Sequence, residues 1–137
     1  MTSEEIQDLL QQEFPENALI VESCENRRAR LLLEVDQTHL RPGGTVSGPT
    51  MMMLAGTAVY AAILATMGNV VLAVTTNLNI DFLRKPKPNQ DLLGDSWLMK
   101  VGKSLIVGEV IIFSKNDLEP VAHATCTYSL PTKKLSL

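Results

Sequence analysis

Few side chains in this chain of 137 residues could carry chemistry. His39 and His123 are the only imidazoles and Cys24 and Cys126 the only thiols, and no metal site is read from their spacing. Thr57 and Thr76 could orient a water but not deprotonate it, because a hydroxyl is a poor base near neutrality. Asp81 shares a strand face with Asn77 and Asn79, which could meet a substrate or simply meet solvent. Positive charge gathers at two turns, one holding Arg84, Lys85 and Lys87 and the other Lys100, Gly102, Lys103 and Ser104. Lysines read phosphates as point charges. The last provision is backbone. Ser47-Gly48-Pro49 precedes a long apolar run, where serine or glycine caps a helix and proline suits its first turn. The N–H groups there, at the positive end of the helix dipole, form a ready site for a developing oxyanion.

The elements that must position these residues follow from periodicity. Thr2-x-x-Glu5 is a capping-box pattern, with Ile6, Leu9, Leu10 and Phe14 at helical spacing until Pro15 ends the run. Strands are expected at Ala18–Cys24 and Arg28–Val35, the second burying Ala29, Leu31, Leu33 and Val35. Asp36 to Gly48 reads as loop, rich in Pro and Gly. A helix then runs to about Met67 and stops at Gly68-Asn69. It is apolar nearly all round, so it belongs at a centre and not on a surface. Strands are expected again at Val70–Leu83, Asp91–Val101, Ser104–Ser114 and Pro120–Leu130, with a frayed tail after Pro131. On period two, Val74, Thr76, Leu78, Ile80 and Phe82 alternate with Thr75, Asn77, Asn79 and Asp81. The order predicts an α+β domain spanning 1–137, in which an antiparallel sheet of about six strands wraps a long central helix behind a short N-terminal one.

Composition narrows the function classes. A net charge of −3 offers no basic footprint for nucleic acid. Some forty uncharged residues between Arg41 and Asp81 raise a membrane span, but small residues, Gly56, Gly68 and Asn69 favour a buried helix followed by a strand. The N-terminus has no basic and apolar regions of a signal peptide, and two reduced, buried cysteines suit a cytoplasmic protein.

Three stretches carry a resemblance: Arg41-Pro-Gly-Gly-Thr-Val-Ser-Gly-Pro-Thr50 before the helix, Ala73-Val-Thr-Thr-Asn-Leu-Asn-Ile-Asp-Phe-Leu-Arg84 after it, and Lys100-Val-Gly-Lys-Ser104 at a turn. From about Val35 to Leu130 the chain resembles the hot-dog-fold acyl-CoA thioesterases, in particular their phenylacetate-pathway, PaaI-like branch. The resemblance implies hydrolysis of a small, medium-chain or aryl acyl-CoA. It also implies a homodimer or tetramer, no metal or cofactor, and an active site shared across the dimer at the start of the central helix. By resemblance Gly48 would donate its N–H to the thioester oxygen. Arg41, Thr75, Arg84 and the Lys100–Ser104 turn, with Gly102 and Lys103, would meet the substrate or its CoA arm.

The chain departs from the family's pattern at three places. Ser47 stands where the family has a histidine, Arg41 where it often has asparagine, and Gly56 where it has a helix carboxylate acting as base or nucleophile. A positioned base is worth about 10²- to 10⁴-fold. Asp81, Asn79 and Thr57 are the substitutes the sequence offers. Two readings therefore stand: an acyl-CoA thioesterase, or a non-catalytic acyl-CoA binder that has lost its base. Met51, Met52, Met53 and Tyr60 suggest an adaptable apolar pocket for the acyl group.

Overall fold

The computed structural model describes residues 1–131, so the fraying expected after Pro131 lies outside the described residues. Two α-helices and six strands follow one another as α1 (Ser3–Glu13), β1 (Leu19–Glu25), β2 (Arg28–Leu33), α2 (Gly48–Met67), β3 (Val74–Phe82), β4 (Leu92–Val101), β5 (Leu105–Ser114) and β6 (Pro120–Ser129). The strands form one antiparallel sheet in the order β1-β2-β4-β5-β6-β3, and α2 crosses its inner face. This is the hot-dog arrangement that the element order predicts.

None of the twenty residues of α2 is charged, and Leu54, Val59, Ile63 and Leu64 are wholly buried. Burying such a side chain stabilises the fold by roughly 1.5–3 kcal/mol. By length and composition α2 could cross a membrane, but here it is the core helix of the sheet. The strands come close to it through glycine: a Cβ on Gly108 would lie 2.9 Å from Val59 Cγ1, and one on Gly94 would lie 3.3 Å from Leu54 Cγ. Ser96, also buried, donates its hydroxyl to the carbonyl of Ala58 at 2.7 Å. That bond fastens the middle of the helix to β4.

The two edges of the sheet are treated differently. On β1, Gln7 of α1 donates to Leu19 O and accepts from Val21 N, while Ser3 accepts from Cys24 N. The helix thereby satisfies backbone groups that an edge strand would otherwise expose. Among the described residues β3 has no such cover, and Val74 and Phe82 are half exposed on it.

Two expectations need correction at β3. The strand begins at Val74 and not Val70, because Val70 N bonds Gly68 O and Ala73 N bonds Val70 O, closing a turn before it. Its alternation is also interrupted. Thr75 pairs with Tyr128 and Asn77 with Thr127, so Thr76 is a bulge. After the bulge Leu78, Ile80 and Phe82 oppose the buried Cys126, Ala124 and Ala122 on the helix side. Thr75 opposes the buried Tyr128, so it faces the helix and not the Asn77, Asn79 and Asp81 side.

Gly108→Ala is expected to lower stability in urea by roughly 1–3 kcal/mol, because its methyl group would press on Val59, Leu98 and the Trp97 carbonyl.

Candidate active site

The start of α2 is built to leave one donor open. Ser47 is the N-cap, its Oγ accepting from Thr50 N at 3.3 Å and lying 2.9 Å from Thr50 Oγ1. Pro49 has no N–H to offer. Among the described residues Gly48 N–H has no partner, so it is the first-turn donor left for a ligand. Gly48 is also pressed from one side, since a Cβ there would stand 3.3 Å from the Phe82 ring. Ser47 therefore serves the helix as a cap.

Gly48 lines a cleft of ≈ 630 Å³ with Arg41, Met51, Phe82, Arg84 and Lys85. The structure thus brings Arg41, Gly48 and Arg84 together, as a shared site requires. Arg84 is largely committed, however. Its guanidinium donates to Asp117 at 2.9 Å and to the carbonyls of Glu119 and Pro120, and Lys87 stands 3.6 Å from the same carboxylate. Hydrogen bonds from the backbone of Glu119, with Lys87 and Arg84 alongside, hold Asp117 below the usual carboxylate range. Among the described residues the side chains of Arg41 and Lys85 make no hydrogen bond or ion pair, so they are the cations open to a phosphate.

Two turns further along α2, about 12 Å at 1.5 Å per residue, a second groove of ≈ 510 Å³ opens between the helix, β3 and β6. Gly56, Thr57, Thr75, Met52, Tyr60 and Tyr128 line it. Thr57 is not positioned as a water activator: its hydroxyl donates back to Met53 O at 2.8 Å. A Cβ at position 56 would meet only Tyr128 Oη, at 3.8 Å, so the space of a side chain there is open. Tyr128 is the residue that sequence reasoning missed. Its hydroxyl donates to Gly56 O at 2.7 Å, and burial holds its phenol far above the ordinary tyrosine range. It can donate a hydrogen bond near position 56 but cannot serve as a base at neutral pH. Only the register of β6 against the helix reveals this, since nothing local marks Tyr128.

The remaining candidates lie elsewhere. Asn79 and Asp81 pair with Thr125 and His123, on the face of the sheet turned away from α2. Within one copy they do not approach Gly48 or Gly56. His123 stands 3.7 Å from Glu109, and His39 Nδ1 accepts from Asp36 N within a capping box, so both imidazoles have structural partners. Gly102, Lys103 and Ser104 form the β4–β5 turn, with Lys100 still in β4, and its neighbours Ser129 and Val74 mark the other end of β3 from Phe82. Nine residues of strand separate those ends by roughly 26 Å. Gly102 is a turn requirement, because a Cβ would come within 2.8 Å of Leu105 O.

A family model described as the thioesterase superfamily matches residues 43–121. No curated protein matches the sequence. Among solved structures, a protein described as a candidate thioesterase from Silicibacter sp. TM1040 is similar at 42% identity and TM-score 0.88, covering 96% of this chain and 92% of that one. Zebra fish thioesterase superfamily member 2 matches at 20% identity and TM-score 0.85 over 96% of this chain and 99% of its own. The E. coli PaaI protein of the phenylacetic acid degradation operon matches at 18% and TM-score 0.81, over 98% and 99%. The last two likenesses speak for the fold.

Cys126 is buried but Cys24 only half-buried, a correction to the expectation that both thiols are enclosed, and the titration of such groups has a fixed sign. Burial pushes the Cys24 and Cys126 thiols from 9.0 up to about 11, and burial and then Glu13 push Tyr60 from 10.0 up to about 12. Folding therefore favours the protonated forms, a contribution fully present below about pH 9 and lost as pH rises through about 11 to 12. Urea midpoints are expected to fall over that window, and Cys126→Ala is expected to make the fall shallower.

Proposed function

Because this chain belongs to the thioesterase superfamily, we propose that it binds acyl-CoA thioesters and hydrolyses them to a free acid and CoA. The observation that carries the reading is the unpartnered Gly48 N–H at the head of α2, in a cleft with two uncommitted cations. The donor and the helix dipole would polarise the thioester carbonyl and stabilise its oxygen as water adds. The tetrahedral intermediate then expels the CoA thiolate, which takes up a proton as the acid is released. Arg41 and Lys85 suit the phosphates of the CoA arm.

We propose that the working unit is a homodimer joined through β3. β1 is capped by Ser3 and Gln7, whereas β3 presents an open edge with Val74 and Phe82 half exposed. Antiparallel pairing of two β3 edges about a two-fold axis would set the Val74 end of one copy beside the Phe82 end of the other. Lys103 and Ser104 of the partner subunit would then approach the Gly48 cleft, which a single copy's own turn does not reach. Unbridged Cys24 and Cys126 fit a reducing compartment such as the cytoplasm.

Gly56 favours a second reading, an acyl-CoA binder with little or no turnover. Among the described residues no carboxylate lines either the Gly48 cleft or the Gly56 groove of one copy, and a missing general base costs about 10²- to 10⁴-fold. One experiment separates the readings: thiol release from a broad acyl-CoA panel by wild type and Gly56→Asp. Slow release by wild type and a gain of roughly 10²- to 10⁴-fold in the variant are expected for the hydrolase. No release by wild type, with acyl-CoA binding intact in calorimetry, would leave the binder. Light scattering is expected to give a mass of at least two copies, and Lys103→Ala to raise KM with little change in kcat.

A further inference from the structure

Beyond the groove at Gly56 lies a second, smaller cavity of ≈ 180 Å³, between the end of α1, the following turn and β1. Leu10, Pro15, Leu19 and Ile20 supply much of its wall. The two cavities share three lining residues: Phe14, Asn17 and Thr57. Phe14 is the bulky one. It ends α1 as its C-cap and sets its ring edge-on to Tyr60 at 6.0 Å between centroids. Among the described residues no charged side chain lines either cavity. The hydroxyls of Thr57, Tyr60 and Tyr128 are already bonded to the carbonyls of Met53, Val71 and Gly56. Gln11, Asn17 and Thr75 are the other polar side chains on these walls, and the rest of the lining is apolar. The open cations lie instead in the Gly48 cleft at the Phe82 end of β3, while the groove lies at its Val74 end, so the β3 pairing proposed above would order the surfaces across the dimer as basic, then apolar, then Phe14, then apolar again.

We propose that Phe14 is a specificity-determining residue that sets the length of straight acyl chain the protein accepts, by closing the groove against the cavity behind it. The inference rests on the acyl-CoA reading above. The occupant it assigns is the unbranched hydrocarbon tail of a CoA thioester, because a charged head and an elongated apolar tail match the order of surfaces. Gly56 contributes by leaving the floor of the groove clear, where a side chain would narrow it. Phe14 itself is 38% exposed, and its place on a helix cap followed by a single 3₁₀ turn leaves its ring replaceable without rebuilding the core.

The test measures binding, so that it is independent of turnover. A series of S-alkyl-CoA thioethers, from butyl to hexadecyl, is titrated calorimetrically into wild type, Phe14→Ala and Phe14→Trp. Each methylene placed in the groove is expected to tighten binding about fourfold, until the chain meets Phe14 and the gain stops. In Phe14→Ala the gain is expected to continue into the second cavity, so that the first chains beyond the wild-type break bind roughly fifteenfold tighter for two added methylenes. The butyl compound, too short to reach Phe14, is expected to bind all three proteins alike. Phe14→Trp is expected to keep the break or move it to a shorter chain. Phe14→Leu repeats the test with a smaller change if thermal melting shows that the alanine variant is unfolded. A break at the same chain length in wild type and the truncated variant would overturn the proposal, as would affinity that ignores chain length. Hydrolysis of acyl-CoA with an unmoved break would sink this inference alone. A break that moves with residue 14, in a protein that releases no thiol, would uphold the inference and sink the hydrolase reading.

Discussion

The constraint on which the structure depends is a helix of twenty residues with no charge and no polar stripe. Such a helix cannot lie on a surface, since every face would leave apolar area in water. It has to be surrounded, and the sheet supplies most of the surround by passing six strands across one side of it. Close approach then dictates small residues where strand meets helix, hence Gly94 and Gly108 against Leu54 and Val59. The one polar side chain buried at that contact, Ser96, spends its hydroxyl on helix and strand carbonyls.

The chemistry is borrowed from the same helix. Its first turn must end somewhere, and the way it ends decides what remains for a ligand. Ser47 occupies Thr50 N, Pro49 removes a second donor, and Gly48 N–H is left. Further along, the helix meets β3 and β6 only partly, and the unfilled space becomes the groove at Gly56. A carboxylate at this position would have combined scaffold and base in one element. With glycine there, the proposed oxyanion site keeps its donor at Gly48 while α2 itself offers no carboxylate.

The asymmetry of the sheet edges ties assembly to the site. α1 spends Ser3 and Gln7 on the backbone of β1, and the same α1 ends in Phe14 beside the groove. The opposite edge, β3, carries Phe82 to within contact of Gly48. In the dimer proposed above, the surface that pairs two copies would also be a wall of the cleft, and a single copy's basic β4–β5 turn lies at the other end of β3.

The sequence by itself determined the elements, their order, the buried status of α2 and the helix start at Ser47-Gly48-Pro49. Each of these rests on local periodicity, capping and breaker residues, which act within a few positions along the chain. It also showed that position 56 lacks a carboxylate, since that is a matter of identity alone. Only the tertiary structure decided which residues meet. The bulge at Thr76 moved Thr75 to the helix side and left Asn79 and Asp81 on the far face, because strand register is set by the partner strand and not by the strand's own alternation. Arg84 became committed through Asp117, a residue 33 positions away. Tyr128 and Phe14 came to line the groove through contacts across the fold, 72 positions apart in the case of Tyr128 and Gly56. Such pairings are made by the packing of distant segments around one helix, and no local pattern encodes them.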